Sequence, residues 1–221
     1  MKGLGRRLYA VLLGFVALGL GSAVLQMPES DSALLEQLVQ NLPQSGVSHD
    51  VTAVLLNYRG YDTFLELVVL LLALLGAWGL SDSVRERRAV PVTPVLYELV
   101  VLLVPVLVVV AAYLLWVGSS SPGGAFQAGA VFAGAGVLLS LSNPVWRGPR
   151  LEAAAELFLF PGILAFVVVG MIGLQLGGEF LEYPVGVAGS LILVIEGFAT
   201  LSIAVTLHTL FAGTSRRGSG T

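Results

Sequence analysis

The sequence predicts an all-α integral membrane protein with six transmembrane helices and both termini cytoplasmic. Three observations predict it. Of the 221 residues, 56% are hydrophobic and only 11% charged, against about 25% charged in soluble domains, and the mean hydropathy is +0.90. Apolar runs near the roughly 20 residues needed to cross a bilayer recur along the chain. Basic residues sort to one side of a six-span layout, as cytoplasmic loops require.

The first span is expected over Leu8 to Leu25. Lys2, Arg6 and Arg7 precede it, as in a signal peptide. The apolar run is too long for one, however, and no small-x-small cleavage site ends it, so it reads as a retained span or signal anchor. A polar connection follows, from Gln26 to Asp50. Within it Leu34, Leu35, Leu38, Val39 and Leu42 form one helical stripe, with Asp31 or Ser32 placed to cap it and Pro43 to end it. That spacing predicts a short amphipathic helix on the membrane or on a partner. The short apolar run Val51 to Leu56 leads into NYRGYDTFLE.

Span two is expected from Thr63 to Leu80, followed by a charged turn, Ser81 to Arg88. Span three runs from Val95 to Val117, with a kink expected at Pro105, whose ring frees a carbonyl. Span four is the stretch SPGGAFQAGAVFAGAGVLLSL, Ser121 to Leu141, and a short loop to Arg150 follows. Span five covers Ala153 to Leu176, with Pro161 in its first third. A tight acidic turn, Gly177 to Tyr183, leads to span six, Val185 to Phe211. The Gly/Ser/Thr/Arg tail is expected to be disordered. In this layout Lys2, Arg6, Arg7, Arg85, Arg87, Arg88, Arg147, Arg150, Arg216 and Arg217 share the cytoplasmic side. Only Arg59 of the 11 basic residues falls opposite. Five or seven spans would break this asymmetry.

Composition also excludes functions. There are no cysteines, hence no disulfides, thiolate metal sites or cysteine nucleophiles. His49 and His208 lie far apart and belong to no metal-spacing motif. No catalytic residues, metal, cofactor or nucleic-acid partner are expected. A membrane enzyme ranks last, because no nucleophile–base pair is visible. An independent small channel ranks low, because the two halves show no inverted repeat.

Four carboxylates fall in spans or their first turns: Glu66, Glu98, Glu156 and Glu196. An intramembrane ionisable group costs on the order of a few kcal/mol to insert, so it persists where it faces a cavity, a partner or a proton route. Glu196 is the deepest, with Thr200 one turn on. It is either a protonatable or cation-binding carboxylate, or a buried carboxyl that hydrogen-bonds a neighbouring helix. Glu98 and Glu156 lie near the cytoplasmic side and suit interfacial roles equally well. Asp62 and Glu66 share a helix face, and Arg59 is placed to pair with Asp62. The group is either the far-side mouth of an ion path or a salt bridge fixing the entry of span two. His208 could relay protons, or simply sit at the interface.

In span four Ala125, Gly129 and Ala133 repeat every four residues, as do Ala130 and Gly134, a pattern that lets helices approach closely. Pro122, Gly123 and Gly124 form a sharp turn into this helix. They read as what places the helices rather than as a site. Gln127 is expected to hydrogen-bond between helices, with Phe126 beside it.

Two stretches carry a family resemblance. SPGGAFQAG, Ser121 to Gly129 and preceded by Gly118, resembles the GHxxPGGGFxGG signature of the MnhB/MrpB subunit of multisubunit cation/proton antiporters. The likeness extends over roughly Pro91 to Thr221 and includes IEGFATLSIAV, where Glu196 is similar to an acidic position in that family's last span. The family's histidine is Ser119 here and the third glycine is Ala125, so no proton role is carried over from that histidine. NYRGYDTFLELVVLLLALLGAW, Asn57 to Trp78, resembles the DFRGFDTLGE segment of the C-terminal part of the MrpA protein. The same segment occurs in a separate small membrane protein of Mrp-related membrane-bound hydrogenases. Arg59, Gly60, Asp62, Thr63 and Glu66 match, and Leu65 replaces a glycine.

The resemblance implies two modules, residues 1–90 and 91–221, fused in one chain. It implies a non-catalytic accessory subunit of a Na⁺/H⁺ antiporter complex in the cytoplasmic membrane. Its partners would be the lipid bilayer, large antiporter-like and small membrane subunits, Na⁺ and H⁺. Asp62, Glu66 and Glu196 are the expected ion-path residues, and Arg59, Glu98, Glu156 and His208 the secondary ones. The alternatives are a membrane-arm subunit of a redox-driven ion pump, and a purely structural scaffold.

Overall fold

The computed structural model describes residues 2–26, 32–80, 93–142, 156–176, 178–184 and 186–212. The expected charged turn Ser81–Arg88, the loop from 143 to 150, residues 153–155 at the start of span five and the tail beyond Ala212 lie outside them. So do Asp31, as an expected cap, and the side chains of Leu34 and Leu35. Most of the described residues are helical and none lies in a strand. The chain divides into two units, Met1–Gln40 and Asn41–Thr221.

The first unit holds helix α1, Lys2–Leu25, and nearly all of α2, Ser32–Asn41. From Val11 onward α1 is exposed on every side, including Phe15, Leu18 and Leu25, as a helix solvated by lipid would be.

The second unit opens with a 3₁₀ turn, Leu42–Gln44, a single turn α3, Asp50–Thr52, and a π-helix, Ala53–Tyr58. Helix α4 spans Gly60–Leu80, α5 Pro94–Val117, α6 Ala125–Ser142, α7 Pro161–Gln175 and α8 Ala188–Ala212. Among the described residues, four helices are long and apolar enough to cross a membrane: Gly60–Gly79, Pro94–Val117, Ala125–Ser142 and Ala188–Phe211. Span five is shorter than expected within the described residues. Its regular helix begins at Pro161, because proline has no N–H to give to a preceding turn and suits the first helical position. The Gly162 N–H bonds instead to Ser202 Oγ on α8 at 2.8 Å.

Helix α8 is the centre. Half of its span is buried, against 11% for α5, and α4, α6 and α7 all pack on it. Phe166 of α7 and Ile192, Ile195 and Ile203 of α8 are almost fully buried, with Leu56 and Leu67 beside them. In lipid this packing gains van der Waals contact rather than water release, so close approach matters most. Gly129 provides it: a Cβ there would sit 2.8 Å from Ile203 Cγ2. The Ala125/Gly129/Ala133 stripe therefore meets α8, whereas Ala130 is exposed and a Cβ added at Gly134 would meet nothing within 4 Å. Outward faces are apolar, with Leu102, Val109, Tyr113 and Trp116 of α5 all more than half exposed. Tyr183, in the connection before α8, is buried without a partner for its hydroxyl, and burial holds its phenol above the usual tyrosine range.

Candidate functional site

The site forms where the Pro122–Gly124 turn meets α8. Helix α5 ends at Val117, and the N–H groups of Ser120 and Ser121 bond back to the Val117 carbonyl, each at 2.9 Å. The Gly124 N–H reaches the Leu114 carbonyl at 2.9 Å, which folds the turn tightly against the end of α5. Gly124 has φ +104°, a conformation open to glycine and strained for other residues. It also lacks a side chain to cap α6. The cap comes from across the molecule: Glu196 Oε1 accepts the Ala125 N–H at 3.3 Å. A carboxylate at a helix N-terminus meets both an unpaired amide and the positive end of the helix dipole.

Glu196 is 4% exposed, and its Oε2 has no hydrogen-bond partner. A Cβ on Gly124 would lie 2.7 Å from Oε1, so the backbone of the turn rests on the carboxyl group. The turn expected to place helices is thus itself a wall of the site.

The segment before α4 closes a second side. The N–H groups of Ser48 and His49 donate to the Ser119 carbonyl at 3.0 and 3.1 Å. Thr52 Oγ1 donates to the Gly118 carbonyl at 2.6 Å, and His49 Nδ1 lies 3.2 Å from the same hydroxyl. The π-helix that follows has wider turns, a feature frequent at functional sites. The Thr63 hydroxyl donates to its Leu55 carbonyl at 2.6 Å.

These elements enclose a cavity of about 390 Å³. His49, Thr52, Thr63, Glu66, Gln127 and Glu196 supply its polar groups, with Pro122, Gly123, Gly124 and Phe126 in the wall. Glu196 is buried, whereas Glu66, Phe126 and Gln127 are exposed at the opening. A larger hollow of about 460 Å³ between α5, α6 and α8 is lined by apolar side chains and Thr200 and holds no ionisable group.

The other expected residues lie elsewhere. Asp62 pairs with Arg59 on an exposed surface, the two side chains being 49% and 69% exposed, and neither lines the cavity. Glu98 and Glu156 are exposed. His208 is half-buried, its Nε2 2.7 Å from Ser140 Oγ on α6. Gly129 packs under Ile203 and outside the cavity. Sequence reasoning did not select His49, Thr52 or Thr63 as site residues. Their signal was present but faint, a polar residue every few positions around a short apolar run. Among the described residues no three His, Cys, Asp or Glu side chains converge to hold a metal ion.

Residues 95–214 match the family described as a domain related to the MnhB subunit of Na⁺/H⁺ antiporters. Solved structures share the fold. A chain of the membrane-bound sulfane sulfur reductase, an archaeal respiratory membrane complex, is similar with a TM-score of 0.73 and 26% identity, over 95% of this chain and 97% of that one. A chain of the Mrp complex from Dietzia sp. DQ12-45-1b is similar in fold with a TM-score of 0.68 and 24% identity, over 98% of this chain and 27% of that chain. An uncharacterized protein of Methanocaldococcus jannaschii is 26% identical over 155 residues, covering 59% of this chain and 58% of that protein. The chain thus spans little more than half the length of that relative. The family match takes in more than half of the sequence, including both the Pro122–Gly124 turn and Glu196. The chain belongs to the family related to the MnhB subunit of Na⁺/H⁺ antiporters.

Proposed function

We propose that this accessory subunit of a Na⁺/H⁺ antiporter-type membrane complex lines part of the ion route, with Glu66 at the mouth of the cavity and Glu196 at its closed end. The observation that carries this reading is the single cavity shared by the two carboxylates and the glycine turn. A carboxylate exposed on a spanning helix, as Glu66 is, costs on the order of a few kcal/mol against lipid. Other membrane subunits covering that opening would remove the cost. Asp62, already paired with Arg59, takes the role of fixing the start of α4 instead.

The same reading includes six spans with cytoplasmic termini in the cytoplasmic membrane, α1 and α7 being the two beyond the four long apolar helices. The 24 residues of α1 would extend about 36 Å, and the distribution of basic residues supports the orientation. It also includes the fusion of a module over 1–90, similar to the C-terminal part of MrpA, with an MnhB-like module over 91–221. A membrane arm of a redox-driven pump is the second reading. The near full-length match to a chain of the sulfane sulfur reductase complex fits it, though no better than it fits the first reading.

The test is transport by the assembled complex carrying Glu66→Gln and Glu196→Gln, singly and together. Loss of cation/proton exchange at unchanged assembly is expected for the double variant. Unchanged exchange would leave only a scaffold role. Subunits that co-purify with the tagged chain decide between the readings: antiporter-like subunits alone for the first, iron–sulfur or nickel–iron subunits for the second.

A further inference from the structure

Glu196 is surrounded in an uneven way. One oxygen accepts the Ala125 N–H, and the other is buried with no partner at all. The group touching the carboxyl from α6 is an amide donor at the positive end of a helix, which attracts an anion and repels a cation. An alkali cation needs several oxygen atoms converging on it. Here Thr200 lines the separate hollow rather than this cavity, and no hydroxyl or amide meets Glu196 Oε2.

The charged and titratable groups that face the cavity are few. The segment before α4 offers His49 and α4 offers Glu66; α6 offers the neutral amide of Gln127, and α7 the apolar Phe166. Helix α5 does not line it. Glu66 stands at the opening, exposed, while Glu196 is enclosed. No second carboxylate or imidazole joins Glu196 in a set of three among the described residues.

A proton asks for none of these ligands. One carboxyl oxygen takes it, and the unpartnered Oε2 is free to do so. The α6 amide engages only Oε1, which leaves Oε2 as the place for the proton. The cavity has room for water molecules, which need only about 30 Å³ each. These could carry the proton between Oε2 and the opening.

We infer that Glu196 is an exchangeable proton site that takes H⁺ and excludes alkali cations, with the Gly123–Gly124 turn closing it on one side. This rests on the ion-route reading above and narrows it: alkali cations would be confined to the mouth, at Glu66.

The probe is N,N′-dicyclohexylcarbodiimide, an apolar reagent that attacks the acid form of buried carboxyl groups. The intact complex in native membranes is treated over a range of pH, and the modified residue is located by mass spectrometry. Labelling at Glu196 is expected to fall about tenfold per pH unit above its midpoint. Replacing choline by Na⁺ at constant ionic strength should leave it unchanged, and Glu66→Gln should leave it in place. Protection by Na⁺ at fixed pH would overturn the inference, as would absence of label at every pH. Both decisive readings come from the wild-type complex, so they survive a Glu196→Gln variant that fails to assemble. If labelling follows pH alone but Glu196→Gln transports normally, the ion route is wrong and the proton site stands. If transport is lost and Na⁺ protects, the route stands and the proton assignment falls.

Discussion

Replacing Gly124 by alanine is the sharpest test of how the site is built. At φ +104° a side chain strains the backbone by on the order of 1–3 kcal/mol. The new Cβ would lie 2.7 Å from Glu196 Oε1, below van der Waals contact, so the carboxyl group must withdraw. Withdrawal breaks the Ala125 N–H···Oε1 bond, and a hydrogen bond to a charged group contributes about 1.5–3 kcal/mol. The two costs overlap, because moving the carboxyl relieves the clash, and together they come to roughly 2–4 kcal/mol. At about 2–4 °C per kcal/mol for a chain of this size, the thermal midpoint should fall by roughly 4–16 °C. Gly134→Ala is the matched control. It sits on α6, the helix this turn leads into, its Cβ would meet nothing within 4 Å, and the change should stay within about 0.5 kcal/mol or stabilise slightly. The assays are thermal unfolding of the purified complex and cation/proton exchange in vesicles. If G124A matched G134A in both, the turn would not be holding the carboxyl group and the site's architecture would be wrong.

Two further substitutions probe the frame. Ser202→Ala leaves the buried Gly162 N–H without its partner, which should destabilise by about 1–3 kcal/mol; Ser202→Thr, which keeps the hydroxyl, should recover most of it in the same melting experiment. Replacing Arg59 by Gln together with Asp62 by Asn removes an exposed ion pair, so stability should change by no more than about 1 kcal/mol. Exchange should persist in that double variant, and its loss would return Asp62 to the route.

Much of the fold could be read from hydropathy, since spans two, three, four and six became helices within a few residues of their expected ends, whereas α1 starts earlier, at Lys2, and α7 later, at Pro161. The corrections came from local chemistry. Span two starts early, at Gly60, and the run Val51 to Leu56 is mostly π-helix, which no period in the sequence announces. The site was legible only in parts. Glu66, Glu196 and the Pro122–Gly124 turn each stood out alone, by charge in an apolar setting or by turn chemistry. Their convergence did not, because the bond joining Ala125 to Glu196 spans 71 positions and depends on how α6 lies along α8. Asp62 and Glu66 shared a face in sequence, yet a pairing with Arg59 and an orientation toward the cavity separated them.

The cap that Glu196 provides to α6 has a consequence for how the protein is made. Synthesis runs at roughly 5–20 residues per second, so the 71 positions between Ala125 and Glu196 take about 4–14 s. During that interval α6 has left the ribosome with its first amide unanswered in the membrane. Helix α8, which emerges after α6, supplies the missing acceptor. A nascent chain interrupted before Glu196 would therefore carry an exposed polar helix end, a mark by which membrane quality control could tell an unfinished copy from a finished one.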